Sequence, residues 1–289
     1  MRVDPVAVDA AFASAAPSGG WDARLLLEFR REASRSVLAR REHAGPLVVQ
    51  KPLYPEGAGV CQCVVVHPPA GIAGGDRLAL DLAVGHGAWA QITTPGAAKW
   101  YRSTGAMASQ TLRARVEAGA VLEWLPQGTI VYDGARTASD ARIELARTAT
   151  FIGADVVSLG RRASGERFRC GEWRQRFEIV RDDALIWSER ALLRPEIRIA
   201  TSPVGLNGAS VFGTFVAVGP RIDDSMLPAL RDVAHARGDA AVTRLPDVVV
   251  ARYRGDSMEA AGAYCAALWS VLRPALTDRA ALRPRIWNT

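Results

Sequence analysis

Two adjoining stretches hold the residue types best suited to chemistry: VCQCVVV, residues 60–66, and HPPAGIAGGD, residues 67–76. A glycine-rich loop can cradle a phosphate, but a P-loop needs a lysine and a hydroxyl after its last glycine and a helix behind them. This loop ends in Asp76, whose charge repels phosphate, and no helical pattern follows. The dinucleotide fingerprint fails in the same way, because it opens a helix inside a βαβ unit. In a strand, Cys61, Cys63, Val65 and His67 share one face. Two thiolates and an imidazole suit zinc or copper, yet no sequence-local fourth ligand completes a closed site. His43, His86 and His235 are scattered, and buried cysteines also serve simply as small hydrophobes.

Four carboxylates, Asp76, Asp133, Asp155 and Glu166, sit beside glycines or in turn regions. Paired carboxylates can do acid–base work; salt bridges to the abundant arginines are the other reading of each. Ser103 in KWYRSTG and Ser164 in RRASGE are not in a G-x-S-x-G elbow. A hydrolytic enzyme built on Asp76 and His67 stands as the alternative function. The net charge is +6, and Lys51 and Lys99 are the only lysines among 36 basic residues. Arginine favours interfaces and carboxylate pairing as well as phosphate backbones. Trp89, Trp124, Trp173, Trp187 and Trp269 lie in apolar patterns, with no helix-turn-helix, RRM or zinc-finger signature beside them, so nucleic acid is not an expected partner.

These residues need a scaffold, and the chain up to about residue 220 reads as short strands punctuated by glycine and proline. RLLLEF, SRSVLARR, GPLVVQ, VCQCVVV, RLALDLAV, AWAQITT, AVLEWL, ARIELA, TFIGADVVSLG, WRQRFEIV and ALIWSERALL all have strand length and composition. GHGAWAQITTPG, EAGAVLEWLPQG and RTATFIGADVVSLG echo one another about thirty residues apart, the mark of stacked β-layers. The expected fold is therefore mainly β, an irregular layered structure with β-helix-like stacking. Two α-helices are expected in the C-terminal third, over about 224–237 and 257–272. Asp224 is the expected cap of the first, Asp256 with Glu259 that of the second, and Pro274 its end. Residues 1–20 are expected to form a flexible segment ahead of a single domain over 21–289. Four cysteines make no disulfide framework, Asp4 and Asp9 interrupt any signal-like apolar run, and no stretch is long enough to span a membrane. A reduced, cytoplasmic protein is expected.

HPPAGIAGGDRL, ITTPGAAKWYRS, LEWLPQGTIVYDGA, SLGRRASGE and the terminal PRIWNT occur in that order. Together they resemble the urease accessory protein UreD family, called UreH in some bacteria, from about Trp21 to Thr289. The resemblance implies a maturation chaperone rather than an enzyme. Such a protein docks on apo-urease and binds UreF, which recruits UreG, a GTPase that carries nickel. It implies no tightly bound cofactor, only transient nickel(II) moving along a passage through the body. Asp76 in the GGD motif and Glu166 in SLGRRASGE are the preferred passage residues. Asp133 and Asp155 are further candidates by chemistry. Arg285 and Trp287 in the tail, with the second helix, are the candidate UreF-facing elements. Two features stand apart from the resemblance: Gly128 in WLPQGTI occupies a place where family members often carry glutamate, and the Cys61–Cys63 pair is not among the motifs that carry it, so its role is open.

Overall fold

The computed structural model describes residues 19–288. All but the last two residues of the expected N-terminal segment lie outside that range, as does Thr289. Alternation of apolar and polar side chains sets the strands. The run RLALDLAV, for instance, buries Leu78, Leu80, Leu82 and Val84 and leaves Arg77 exposed. The chain opens with a hairpin, β1 (Asp22–Glu32) and β2 (Arg35–Ala44), followed by β3 (Val48–Val49) and β4 (Cys61–Val66). Coils then stack. β5 (Arg77–Val84), β6 (Trp89–Thr93) and β7 (Ala98–Trp100) make one layer. β8 (Ala108–Val116), β9 (Val121–Leu125) and β10 (Thr129–Val131) make the next, and β11 (Arg136–Leu145) with β12 (Thr150–Leu159) the third.

Layer upon layer, β1, β5, β8, β11 and β13 (Glu172–Arg181) pair in parallel in one sheet, closed at its edges by β2 and by β14 (Ala184–Leu193). β4, β6, β9 and β12 pair in parallel in the facing sheet. Antiparallel β15 (Val211–Val218) and then a hairpin, β16 (Gly238–Leu245) and β17 (Val248–Gly255), extend it. The thirty-residue echo is thus a physical repeat: Trp89 lies beside Val121, and Val121 beside Thr150. Parallel strands arise here without crossover helices, because each coil returns through the opposite sheet.

Inward-facing side chains of both sheets form the main core, including Leu25, Leu80, Leu112, Ile143, Phe151 and Val157. The outer face of the second sheet is also covered. There α2 (Met258–Thr277) packs Leu268, Trp269 and Leu272 against Ile152, Phe215 and Val249. This double burial explains why β6 and most of β12 are buried on both sides.

The C-terminal helices depart from expectation in detail. The first is only α1 (Leu227–Arg231), preceded by a 3-10 turn over Asp224–Met226. Asp223, not Asp224, caps that turn through Ser225 N–H. Of this helix only Leu230 is buried, so nothing rewards its extension to 237; the chain turns at Arg237, φ +56°, into the β16–β17 hairpin, which the sequence reading had missed. In the second helix Ser257 is the cap, accepting from Ala260 N–H, while Asp256 accepts instead from Ser210. Pro274 lies inside α2 rather than ending it. It deprives the Ser270 carbonyl of a partner, but the last turn carries Arg273 and Leu276 into buried contacts that hold it helical.

Candidate functional site

Between the sheets the coils enclose a cavity of about 420 Å³. Its floor is apolar, from Leu78, Leu80 and Leu112, and a few polar residues from different segments line it: His67, Lys99, Ser139, Asp155 and Gln175. Asp140 is fixed by Arg113 and Arg176. Asp155 differs. No described arginine or lysine pairs with it, and its partner is the Gln175 side-chain amide, which donates at 2.6 Å. Burial, then the charge of nearby Glu189, pushes its carboxyl up to about 7, against the lowering effect of the amide. His67 is half-buried, and burial lowers its pKa more than the charge of Asp76 raises it, so the imidazole is neutral at pH 7. Among the described residues its buried Nε2 has no hydrogen-bond partner.

The other predicted carboxylates have structural partners. Asp76 is 2% exposed, and its oxygens accept from Trp21 N–H at 2.8 Å and Ala73 N–H at 2.7 Å. It ties the glycine-rich turn to the start of β1. Gly75, at φ +96°, belongs to that junction: a Cβ on the facing Gly20 would lie 2.1 Å from the Gly75 carbonyl oxygen. The loop is therefore a chain crossing, not an anion cradle. Asp133 accepts from the N–H groups of Arg169 and Cys170 at 2.7 and 3.0 Å. Burial raises its pKa, but these bonds outweigh burial and hold it below the ordinary value. Glu166 forms a bidentate pair with Arg161, which lowers its pKa, and the Asp133 N–H also points at it.

Asp133 and Glu166 thus meet at one corner, Asp155 and His67 share the cavity, and Asp76 stands at a third place. Asp76 and His67 interact through charge, but no hydrogen bond between described residues joins them. Among the described residues no three His, Cys, Asp or Glu side chains cluster to hold a metal. Arg285 is exposed, while Trp287 docks its ring 5.8 Å from Trp269 and donates to the Thr93 hydroxyl at 2.7 Å.

Sequence reasoning missed two acids. Glu189 lies near Asp155 and accepts from Thr214 Oγ1 at 3.2 Å and from Arg252 Nη1 at 2.5 Å. Glu123 is wholly buried beneath α2, accepting from the indole N–H groups of Trp89 and Trp269, from Gln91, and from Arg273, itself 0% exposed. Burial pushes Glu123 up; the charge of Arg273, then the bonds from Trp269, Gln91 and Trp89, oppose it. Strand parity carries the signal for both. In VLEWL, Glu123 shares a face with Val121 and Leu125, and in IWSERALL, Glu189 shares one with Trp187, Ala191 and Leu193.

Residues 22–288 match the family described as UreD urease accessory protein. The chain belongs to the UreD family. It is 48% identical over 270 residues to the urease accessory protein UreD of Azoarcus sp. (strain BH72), covering 93% of this chain and 95% of that one. It is 49% identical over 269 residues to UreD of Nitrosococcus oceani, covering 93% and 90%. With UreD of Pseudomonas aeruginosa it shares 47% over 270 residues, 93% and 95% of the two chains. The family match begins at Asp22, where β1 begins, and ends at Asn288, so it takes in every strand of the UreD body. Among the described residues no helix is long and apolar enough to cross a membrane.

Proposed function

We propose that this protein is a non-catalytic factor in urease maturation. In this reading it docks on apo-urease, binds UreF and, through UreF, works with the GTPase UreG so that nickel reaches the urease active site. The setting is the cytoplasm, where unmetallated enzyme is at hand. The observation that carries the reading is Asp155: a carboxyl on the wall of an internal cavity, held by the Gln175 amide, in a lining that also includes the neutral His67 imidazole.

A passage must hold a cation well enough to admit it and weakly enough to release it. Nickel stands high in the divalent affinity order, so a closed site of cysteines and histidines would trap it. One carboxylate and one imidazole from separate segments supply too few ligands for that. A carboxyl titrating near 7 releases its proton to solvent at little cost when a cation arrives and takes one back as the cation leaves. Asp133 and Glu166 could act as stops only by releasing Arg102 and Arg161, and Asp76 only by releasing the backbone it holds, so in this reading these three position the walls.

The test is co-expression of the chain with UreF, UreG and apo-urease, followed by pull-down and a nickel-activation assay. Co-purification and activation that depends on this chain are expected, with Asp155→Ala lowering activation while the complex still assembles. Full activation without this chain would remove the proposal. Activation that needs the chain but ignores Asp155 would leave the partnership standing and remove the internal route.

A further inference from the structure

The corner where Asp133 and Glu166 meet carries more cations than those two acids engage. Three turns stack there, residues 101–107, 132–135 and 160–171, each leading into a strand of the first sheet. Ser103 N–H donates to the Gly134 carbonyl at 3.0 Å, and Gly134 N–H to the Cys170 carbonyl at 2.9 Å. The turns and the first residue of β11 present six arginines: Arg102, Arg136, Arg161, Arg162, Arg167 and Arg169. Three carboxylates answer them. Glu166 holds Arg161, Asp256 pairs with Arg162 at 3.3 Å, and Asp133 reaches Arg102 only at 3.5 Å, with 69% of that arginine side chain exposed. Arg136, Arg167 and Arg169 are exposed and make no ion pair among the described residues. Arg136 instead donates to the Gly105 carbonyl at 2.6 Å.

We propose that this arginine corner is a docking surface for an acidic face of a partner protein, whose carboxylates pair with Arg136, Arg167 and Arg169. A guanidinium can take a carboxylate through two parallel N–H bonds, which fixes direction as well as charge. The ground beside these arginines is already ordered. Tyr101 and Tyr132, both half-buried, meet edge to face with centroids 5.1 Å apart, and the Arg161 guanidinium lies 4.4 Å over the Tyr132 ring. Gly71 packs so closely on the Tyr101 ring that a Cβ there would clash. Arginine and tyrosine are the side chains that anchor interfaces, and a platform fixed before contact loses little freedom on binding.

The interleaved Asp133, Glu166 and Asp256 select the class of partner. A nucleic-acid backbone carries charge at every step, so laid across the corner it would press phosphates against these carboxylates. A protein face can set its acids over the arginines and neutral groups over the acids. The inference adds a surface to the maturation reading and rests on that reading only for which partner supplies the acids.

The experiment follows a fluorescein-labelled oligo-glutamate peptide binding to the full chain, by anisotropy at low salt. One variant reverses the corner, with Arg136→Glu, Arg167→Glu and Arg169→Glu together. A second makes the same change in net charge elsewhere, with Arg31→Glu, Arg147→Glu and Arg231→Glu, all three exposed. Wild type and the second variant are expected to bind alike, and the corner variant at least tenfold more weakly. Equal weakening in both variants would mean that net charge alone holds the peptide and would overturn the proposal, as would failure of wild type to bind. A single-stranded oligonucleotide is titrated in parallel; tighter binding than the peptide, lost in the corner variant, would overturn the proposal in favour of nucleic acid. The corner variant is then co-expressed with UreF, UreG and apo-urease. Loss of UreF or apo-urease from the pull-down is expected, and retention of both would overturn the docking role. If wild type brings down neither, the maturation reading fails, and the peptide result alone decides the corner.

Discussion

Gly128 and Asp155 show how much one position decides. Gly128 sits at φ +87°, and a Cβ there would lie 2.8 Å from the Val156 carbonyl oxygen and 2.9 Å from Met258 Cε. The glutamate expected by resemblance at this place does not fit this backbone. Gly128→Glu should therefore cost about 2–4 kcal/mol, from the left-handed conformation and the overpacking together. Gly128→Ala should show most of that loss in chemical denaturation, since the Cβ is what clashes. Asp155 makes a prediction about pH. Its folded-state pKa, about 7, is above the 3.8 of an unburied aspartate, so the folded chain binds the extra proton between those values. Its contribution to stability is then greatest at the acid end and falls as pH rises toward 7. Asp155→Asn should raise stability by about 2–3 kcal/mol more at pH 7.5 than near pH 5. Urea midpoints at the two pH values check this; equal shifts at both would mean that the carboxyl titrates normally.

At the scale of elements, the sequence was readable where burial is one-sided and repetitive. The eleven strand segments, the thirty-residue echo and the apolar stripe of α2 are all present, because alternation and helical spacing directly record which face is buried. The β16–β17 hairpin was not read, nor were β7, β8, β10 and β15; VVVARY in β17 alternates less cleanly because both of its faces are covered. Its LPDV turn was the available signal. Of the site, the residue types were legible but their company was not: which carboxylate keeps an arginine is set by contacts between strands far apart in sequence. The clearest case is Arg273 on α2, which binds Glu123 on β9 at 2.8 Å, Glu56 at 2.7 Å and the Ala280 carbonyl. One side chain thereby clamps the helix, the coils, the loop before β4 and the start of the tail. Arg273→Met should cost about 3–5 kcal/mol, because Glu123 is left buried without its counter-charge. Adding Glu123→Gln should restore a good part of the loss, since the amide oxygen can still accept from Trp269. Hydrogen exchange should show α2 and residues 279–288 opening in the single variant and closing again in the double one.

For the whole molecule, the two sheets do different jobs. The outer face of the first is a field of paired charges, among them Arg24 with Asp81, Arg40 with Glu28 and Arg142 with Glu178. Such pairs contribute little singly to stability, but they keep unpaired carboxylates scarce across the body. Against that background the cavity stands out, since Asp155 there has an amide for a partner where Asp140, on the other sheet, has two arginines. A stacked β-body is a good container for such a space: each coil contributes one wall residue, and the hydrogen-bonded ladders on both sides keep the walls apart without a ligand. Filling the space should therefore separate the internal route from docking. Ser139 lies half-buried on the cavity wall in β11, and Ser139→Phe would place a ring in the volume beside Asp155. The expected result is a folded protein that still co-purifies with UreF and apo-urease, with nickel activation of urease lowered at least tenfold, equivalent to about 1.4 kcal/mol or more in the limiting step. Ser139→Ala, which leaves the cavity open, should activate like wild type. If the phenylalanine variant assembles and activates normally, nickel travels beside the coils rather than through them, and the cavity is only the interior of a scaffold.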